Sequence, residues 1–403
     1  MGILHLLKKP IKKIAIIGGG SACFVAADIL SQNHEVIIYE KGKTIGRKFL
    51  VAGKGGFNIS HQIEIEELIQ KYTPSEFLAP MLNHFDVKAL RAWYSKLGID
   101  TYVGSSSRIF PEKGISPADV LRQIKRHLLS RGVTFKYEQE FIGFSENVKP
   151  VVKSPKEEFE IQADHYLFCL GGASWKVTGS DGLWLSYFKN IGVSTLPFAV
   201  SNCGLNVDWP TSISEFHIGK PLKNIKITHG SQQIKGEAVI SEYGLEGNAI
   251  YPISTSVRNT LTQKSTATIQ IDFKPSLSTQ DIQRKIRNQK PSNYGKTLKL
   301  NSHILALVKT FMSKEEYISP SKFSEKIKAL EIPIHSLRPI EEAISTVGGI
   351  DIHALDTELK LKKHPHLMCL GEMVNWDAPT GGFLLQGCFS MSAWAARAIN
   401  LDF

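Results

Sequence analysis

Ile14-Ala15-Ile16-Ile17-Gly18-Gly19-Gly20-Ser21-Ala22-Cys23, followed by His34-Glu35-Val36-Ile37-Ile38-Tyr39-Glu40, decides the fold of this chain. An apolar run too short for a helix ends in three glycines. A helical stretch follows from Ser21 to about Leu30, and a second apolar run closes on an acid. That order is the βαβ unit that holds the pyrophosphate of a dinucleotide. A first strand of nearly continuous Ile and Ala is a strand buried on both faces. Gly18 permits the tight turn out of it. Gly20 has no side chain, so backbone can approach a phosphate there. Ser21 and Ala22 open the helix whose free N–H groups face the anion. Glu40 lies about twenty residues on, where a carboxylate accepts the ribose hydroxyls of an adenosine. The third glycine of the pattern falls at Cys23. That position serves helix-to-strand packing, so the motif survives the change.

Length and composition bound the rest. With 403 residues the chain exceeds one domain by size and has ample capacity for buried cores. Hydrophobic content of 42% with 21% charged residues is that of a soluble globular protein. No apolar stretch reaches the length of a membrane span. The first ten residues lack the order of a signal peptide, and Leu6 breaks the myristoylation pattern, so a cytoplasmic protein is expected. The five cysteines, Cys23, Cys169, Cys203, Cys369 and Cys388, contain no C-x-x-C pair. They predict buried thiols, with no disulfide framework and no zinc site. His364-Pro365-His366 is the one close histidine pair and reads as a surface turn, so no metal is expected. The net charge of +10 comes from scattered lysines. They read as solvated helix faces and argue against a nucleic-acid site.

Residues 1–195 read as α/β. Helical patterns lie at 62–71, 75–80, 86–97 and 117–131, and strand-like runs at 133–137, 141–145, 150–153 and 158–162. Tyr166-Leu167-Phe168-Cys169-Leu170-Gly171-Gly172 predicts a parallel strand returning beside the first, with its glycines near the cofactor. Beyond Leu196-Pro197, short alternating runs such as Asn224–Thr228 and Thr266–Phe273 predict an antiparallel, barrel-like region. From Ser278 to Leu330 helical periodicity takes over, and strand character resumes at Ile332-Pro333-Ile334.

The last segment is a second strong signal. Leu367-Met368-Cys369-Leu370-Gly371-Glu372 is a buried strand ending in Gly and an acid. Asp377 to Gly387 then leads, through Gly381-Gly382-Phe383, into a helix from about Leu385 to Asn400. An acid at a strand end can hold a polyol hydroxyl, and a Gly-Gly helix start offers N–H donors to an oxygen that becomes negative on reduction. This suits FAD better than NAD. The first unit holds the ADP half, and the chain returns at its end to the ribityl chain and the flavin.

Here the residues carry a family resemblance. Arg47-Lys48-Phe49-Leu50-Val51-Ala52-Gly53-Lys54-Gly55-Gly56-Phe57-Asn58 resembles the loop after the second strand in the BaiN-like, or aminoacetone-oxidase-family, flavoproteins. Cys169 to Trp175, Thr178 to Gly182, Ser201 to Gly204, Tyr243 to Gly247, Ala343 to Gly349 and Gly371 to Gly382 resemble further blocks, in family order. Phe57 stands where the wider family has a cysteine, so any role of that thiol is absent here.

The resemblance implies a discontinuous Rossmann-type FAD-binding domain (1–195 and 343–403). It also implies an inserted antiparallel β-barrel-like domain (196–275 and 331–342), a small helical domain (276–330) and non-covalently bound FAD. Activities across the family differ: some members resemble reductases of conjugated enones, as on bile-acid intermediates, and others amine oxidases.

The expected cofactor site follows from the motifs and the resemblance together. Gly18, Gly20, Ser21 and Ala22 line the pyrophosphate, and Glu40 the ribose. Lys41, Arg47 and Lys48 neutralise phosphate or steady the loop over the flavin. Asn58, Gly371, Glu372, Gly381, Gly382 and Phe383 surround the ribityl chain and the ring, and Gly55, Gly56, Gly171 and Gly172 are further cofactor-binding residues. No residue declares itself a general acid or base; Tyr243, Trp376 and Asp377 are candidates by position alone. There is no second nucleotide-binding βαβ unit, so NADH or NADPH would dock only transiently at the flavin, or oxygen would be the acceptor. The expected function is an FAD-dependent oxidoreductase acting on a small-molecule substrate, reductase or oxidase. The alternatives are an RNA-associated flavoprotein, as among tRNA-modifying FAD enzymes, and a flavin-binding protein without turnover. Nothing in the pattern fixes the oligomeric state.

Overall fold

The computed structural model describes residues 10–51 and 56–401. The chain forms two compact units, one from residues up to Ala199 together with Ser345 onward, the other from Val200–Ile344.

The first unit is built on a six-stranded sheet. Its order is Lys360–Leu361, His364–Cys369, His165–Phe168, Lys13–Ile17, Glu35–Glu40, Thr134–Tyr137. All neighbours pair in parallel except the first two, which form an antiparallel edge hairpin. The Tyr166 run therefore returns beside the first strand, as its sequence predicts, with Ile17 opposite Phe168. The opening strand is buried along Ile14–Ile17, and beside it Phe168 is covered by Phe141 and Phe144 of the strand Glu140–Phe144. Ser21–Leu30 forms the first crossover helix, and Phe383–Leu401 follows the last strand. These two helices pack along each other. Small residues of the last helix, Ala393, Ala395, Ala396 and Ala398, are buried there, and Ser392 Oγ accepts the Ala26 N–H at 2.7 Å. A three-stranded antiparallel sheet of Ser60–His61, Arg108–Pro111 and Thr101–Val103 lies in the same unit.

One buried carboxylate ties three helices together. Asp28, on the first helix, accepts the Trp93 indole N–H at 3.0 Å and contacts His127 Nε2 at 2.7 Å. Arg131 Nε stands 3.9 Å away.

The second unit holds a seven-stranded antiparallel sheet in the order Leu330–Ile334, Ala267–Asp272, Pro221–His229, Gln232–Ser241, Gly244–Glu246, Leu205–Asn206, Ser336–Leu337. Only His335 separates the two edge strands in the chain, so the edges meet and the sheet curls barrel-like. Burial alternates along Ala267–Asp272 and Leu330–Ile334 because one face is inside. The helices Thr279–Ile286, Ser302–Thr310 and Pro320–Lys328 share this core: Ile282, Leu307 and Phe323 are buried in one cluster with Ile227 and Ile269. Lys328 Nζ anchors the last of these helices, bonding Asp272 Oδ2 at 2.7 Å and the carbonyls of Lys274 and Leu277 at 2.9 and 2.6 Å.

All five cysteines are free and buried. Among the described residues no helix is long and apolar enough to cross a membrane.

Asp28→Ala strands a buried indole N–H and removes the partner of His127. It is expected to lower unfolding stability by about 2–4 kcal/mol. Arg122→Ala, which breaks an exposed helical pair at 2.7 Å, is expected to cost under about 0.5 kcal/mol. Urea denaturation of the two variants beside the wild type measures both.

Candidate functional site

The parallel strands end at one edge of the sheet, and the predicted residues of the first unit gather there. Gly18 turns the chain with φ +98°, and its N–H bonds Tyr39 O at 2.8 Å. A Cβ on Gly18 would lie 2.5 Å from Cys169 O, and one on Gly19 2.6 Å from Ile45 Cγ2. The protein's own packing therefore demands both glycines. Gly20 is different. It is the N-cap of the first helix, with φ −82° and ψ 178°, angles any residue adopts. A Cβ there would meet nothing nearer than Cys169 O at 3.6 Å. No side chain caps this helix and no acid stands in its first turn. The protein leaves open an N-terminus lined by Gly20, Ser21 and Ala22, where a Cβ would sit without clash and an anion fits.

Glu40 closes the unit. Its Oε2 accepts the Gly19 N–H at 2.8 Å and its Oε1 the Gly42 N–H at 2.7 Å. Each oxygen keeps a second lone pair, so hydroxyl donors can still be accepted. Cys23, at the third glycine position, is fully buried, and burial first and Glu40 second raise its thiol well above the ordinary range. It is a packing residue with no reactive character.

The three predicted cations have partners within the unit. Lys41 Nζ meets Asp181 Oδ2 at 2.7 Å. Arg47 Nη2 donates to Val177 O at 2.5 Å. Lys48 Nζ bonds Glu372 Oε2 at 2.7 Å and Ser174 Oγ at 2.9 Å. Glu372 Oε1 accepts the Thr346 N–H at 3.0 Å, so both of its oxygens are already engaged by the protein. Thr346 Oγ1 accepts the Ala173 N–H at 3.1 Å, and a Cβ on Gly172 would stand 2.1 Å from that oxygen. Ala173, Ser174, Thr346, Lys48 and Glu372 are thus one hydrogen-bonded network, while the Gly171 and Gly172 carbonyls accept from Trp184 Nε1 at 3.2 Å and Ser180 Oγ at 2.8 Å. Gly371, with φ +75°, would press a Cβ to 2.6 Å from Ala22 Cβ, which sets the last strand end against the first helix.

The C-terminal turn joins the loop after the second strand. Gly381 and Gly382 have φ +106° and +94°. Asn58 Nδ2 donates to Gly381 O, Ser60 Oγ to Gln386 Oε1 at 2.8 Å, and Tyr72 OH to Phe383 O at 2.8 Å. A Cβ on Gly382 would fall 2.6 Å from Ser60 N. The chain itself requires that glycine, whatever binds nearby. Gly56 adopts φ +106°, and Gly55 lies outside the described residues.

Of the positional candidates, Trp376 is buried and donates its indole N–H to Gly371 O at 2.8 Å. Asp377 pairs its backbone with Thr73. Tyr243 belongs to the second unit. Its hydroxyl donates to Glu246 Oε2, and the Arg338 guanidinium covers its ring at 4.2 Å. Burial, then Glu246, raises its pKa, so the phenol keeps its proton.

Sequence reading missed His61. Its ring stacks on Phe383 at 4.4 Å with planes 7° apart. Burial first and Arg108 second push its pKa down to about 4, against a hydrogen bond to Gly381 that favours the proton. Its available signal was slight: a histidine three residues after Asn58, in a strand of two residues. Thr346 was likewise missed, because its partners Ala173 and Glu372 lie far off in the chain.

Two outcomes test this geometry. Gly20→Ala is expected to keep apoprotein stability within about 1 kcal/mol yet weaken FAD binding about tenfold or more, whereas Gly18→Ala is expected to destabilise the apoprotein itself. Thermal unfolding and FAD titration of both apoproteins separate them. His61 stays neutral when folded, while the unfolded chain takes up a proton near 6.5. Stability is therefore expected to fall as pH drops from about 6.5 toward about 4. His61→Asn is expected to flatten that slope in denaturation measured across the same window.

Comparison with known proteins gives the family and the fold. The family model described as "HI0933-like protein Rossmann domain" matches residues 12–398. A 3-dehydro-bile acid delta(4,6)-reductase of Clostridium scindens is 22% identical over 411 residues, spanning 96% of this chain and 98% of that protein. A ribosomal RNA dihydrouridine synthase of Haemophilus influenzae is 21% identical over 409 residues, with the same coverage of 96% and 98%. In fold, the chain is similar to 3-ketosteroid delta1-dehydrogenase from Sterolibacterium denitrificans, with TM-score 0.54 and 12% identity over 97% of this chain and 99% of that one. A glycine turn at the carboxyl edge of a parallel sheet, with a family match running almost end to end, makes this chain a member of the HI0933-like Rossmann-domain family of FAD-dependent oxidoreductases.

Proposed function

We propose that this protein reduces a carbon–carbon double bond conjugated to a carbonyl, with non-covalently bound FAD. The observation that carries the cofactor assignment is Gly20. The fold does not need a glycine there, and the open helix end beside it suits a pyrophosphate. The reaction type draws on the two curated relatives. A bile acid delta(4,6)-reductase and a dihydrouridine synthase act on unlike molecules. Both names nevertheless describe saturation of a C=C bond conjugated to C=O.

FAD, when bound, supplies the hydride chemistry. The chain's part is to hold and orient it. Gly18, Gly20, Ser21 and Ala22 take the pyrophosphate, and Glu40 takes the ribose. Lys48, fixed by Glu372 and Ser174, sets a positive charge in the same network as Ala173, which follows Gly171 and Gly172 in the chain. Gly56, Asn58, Gly371, Gly381, Gly382 and Phe383 frame the remainder, with Lys41 and Arg47 steadying their loops. NADH or NADPH is the proposed donor, docking transiently, and the cytoplasm the proposed compartment.

The name of the second relative supports one other reading, an RNA substrate. Retention on heparin, and turnover of a uridine-containing oligonucleotide in place of a free enone, would favour it.

The purified protein is expected to be yellow and to release FAD, not FMN, on acid treatment. NADH or NADPH is expected to bleach it without oxygen, and a 3-oxo-Δ4 steroid or a uridine compound to restore the colour. A colourless protein that takes up no added FAD overturns the reading. Rapid restoration of colour by oxygen alone, with none by either acceptor, would make it an oxidase. Glu40→Ala is expected to weaken FAD binding about ten- to a hundredfold, the effect of a charge-assisted contact of about 1.5–3 kcal/mol. Titration of the apoprotein followed by flavin fluorescence measures it.

A further inference from the structure

Two buried nitrogens of the first unit have no hydrogen-bond partner among the described residues and stand on neighbouring strands: His61 Nδ1 and Arg108 Nε. Their residues are directly opposed in the antiparallel pairing of Ser60–His61 with Arg108–Pro111. Directly opposed side chains leave the sheet on the same face, with Cβ atoms about 5 Å apart. Arg108 also has no carboxylate partner among the described residues.

The roles of the two atoms follow from their surroundings. Burial, and second the opposed Arg108, keep the His61 ring neutral. In a neutral imidazole with its proton on Nε2, the unpartnered Nδ1 is a bare acceptor. Arg108 Nε can only donate. The ring face rests on Phe383, with centroids 4.4 Å apart, and Ser60 beside it is tied to Gln386. Burying an unmade donor beside an unmade acceptor costs stability unless a ligand supplies the complement.

We propose that His61 Nδ1 and Arg108 Nε form a two-point clamp for a cyclic imide or lactam edge, an N–H beside a C=O. The ligand N–H donates to His61, and Arg108 donates to the ligand carbonyl. The proposal rests on the reading that this unit holds FAD, for two sources carry such an edge. One is the pyrimidine ring of the flavin, and the other is a pyrimidine-type substrate.

N-methylation tests the clamp, because it removes the one donor and leaves the carbonyls. In the first arm, apoprotein is titrated with FAD and with 3-methyl-FAD, following flavin fluorescence. In the second, calorimetry compares uridine with N3-methyluridine on the protein as purified. The wild type is expected to prefer the unmethylated ligand about tenfold or more in one arm. Preference in the flavin arm assigns the clamp to the cofactor, and preference in the uridine arm assigns it to the substrate. His61→Phe keeps the stacking and Arg108→Met keeps the stem, and each is expected to reduce the preference to under about threefold. His61→Asn, which restores an acceptor, is expected to recover part of it. FAD binding with no methyl preference in either arm overturns the clamp and leaves the flavin reading intact. Failure to bind FAD at all overturns that reading, and the uridine arm alone then decides the clamp. A preference that persists in both variants also overturns it.

Discussion

The close approach of Gly18 to the Cys169 carbonyl is the contact on which the site depends. A Cβ at Gly18 would lie 2.5 Å from that oxygen, so only glycine lets the first strand turn against the end of its neighbour. Because Ile17 pairs with Phe168 and Tyr39, the turn is registered on both sides. The first helix is thereby aimed along the sheet edge where the strands at 35–40, 165–168 and 364–369 also finish. Ligands of open α/β sheets bind at that edge because the helix ends and the loops converge there. Glu40, Gly171 and Gly371 reach the same place by being the residues at or just past their strand ends.

The glycines sort into two kinds once each is asked what a Cβ would meet. Gly18, Gly19, Gly172, Gly371 and Gly382 would collide with the protein, so their presence speaks for chain packing. Gly20 would not, so its presence speaks for something outside the chain. Motif patterns treat these glycines alike. The structure separates them, and it moves the weight of the cofactor argument onto one position. The same sorting changes what a substitution at Gly382 can report: a loss of FAD there would follow from a strained backbone at φ +94° as readily as from a lost flavin contact.

Local physics explains how much was legible beforehand. The βαβ unit, the returning Tyr166 strand and the final helix declare themselves because each is a contiguous run with its own periodicity and glycine punctuation. The curled antiparallel sheet was readable from alternation in runs such as Ala267–Asp272. What could not be read are pairings made across the chain. Glu372 lies 324 residues from Lys48 and 26 from Thr346, yet the three share one network. Its acid was legible as a strand-end residue, whereas the engagement of both its oxygens by the protein was not. His61 was invisible for the same reason. Its environment is made by Arg108 on another strand and by Gly381 and Phe383 at the far end of the sequence.

The charges around the site follow one rule. Lys41 and Lys48 are each held by a carboxylate at 2.7 Å, so their positions are set before any phosphate arrives. A cation paired in this way adds little net attraction, but it fixes the loop that carries it, and ligand binding then orders less of the chain. Arg108 is the exception among these, with a buried Nε that nothing in the described structure satisfies. Its opposed neighbour stays neutral because the ring is desolvated and repelled at once. A fixed donor beside a fixed acceptor selects by hydrogen-bond pattern and not by charge. A site with one missing complement rejects the wrong edge more strongly than apolar contact alone can, since the buried partner would be left unpaired.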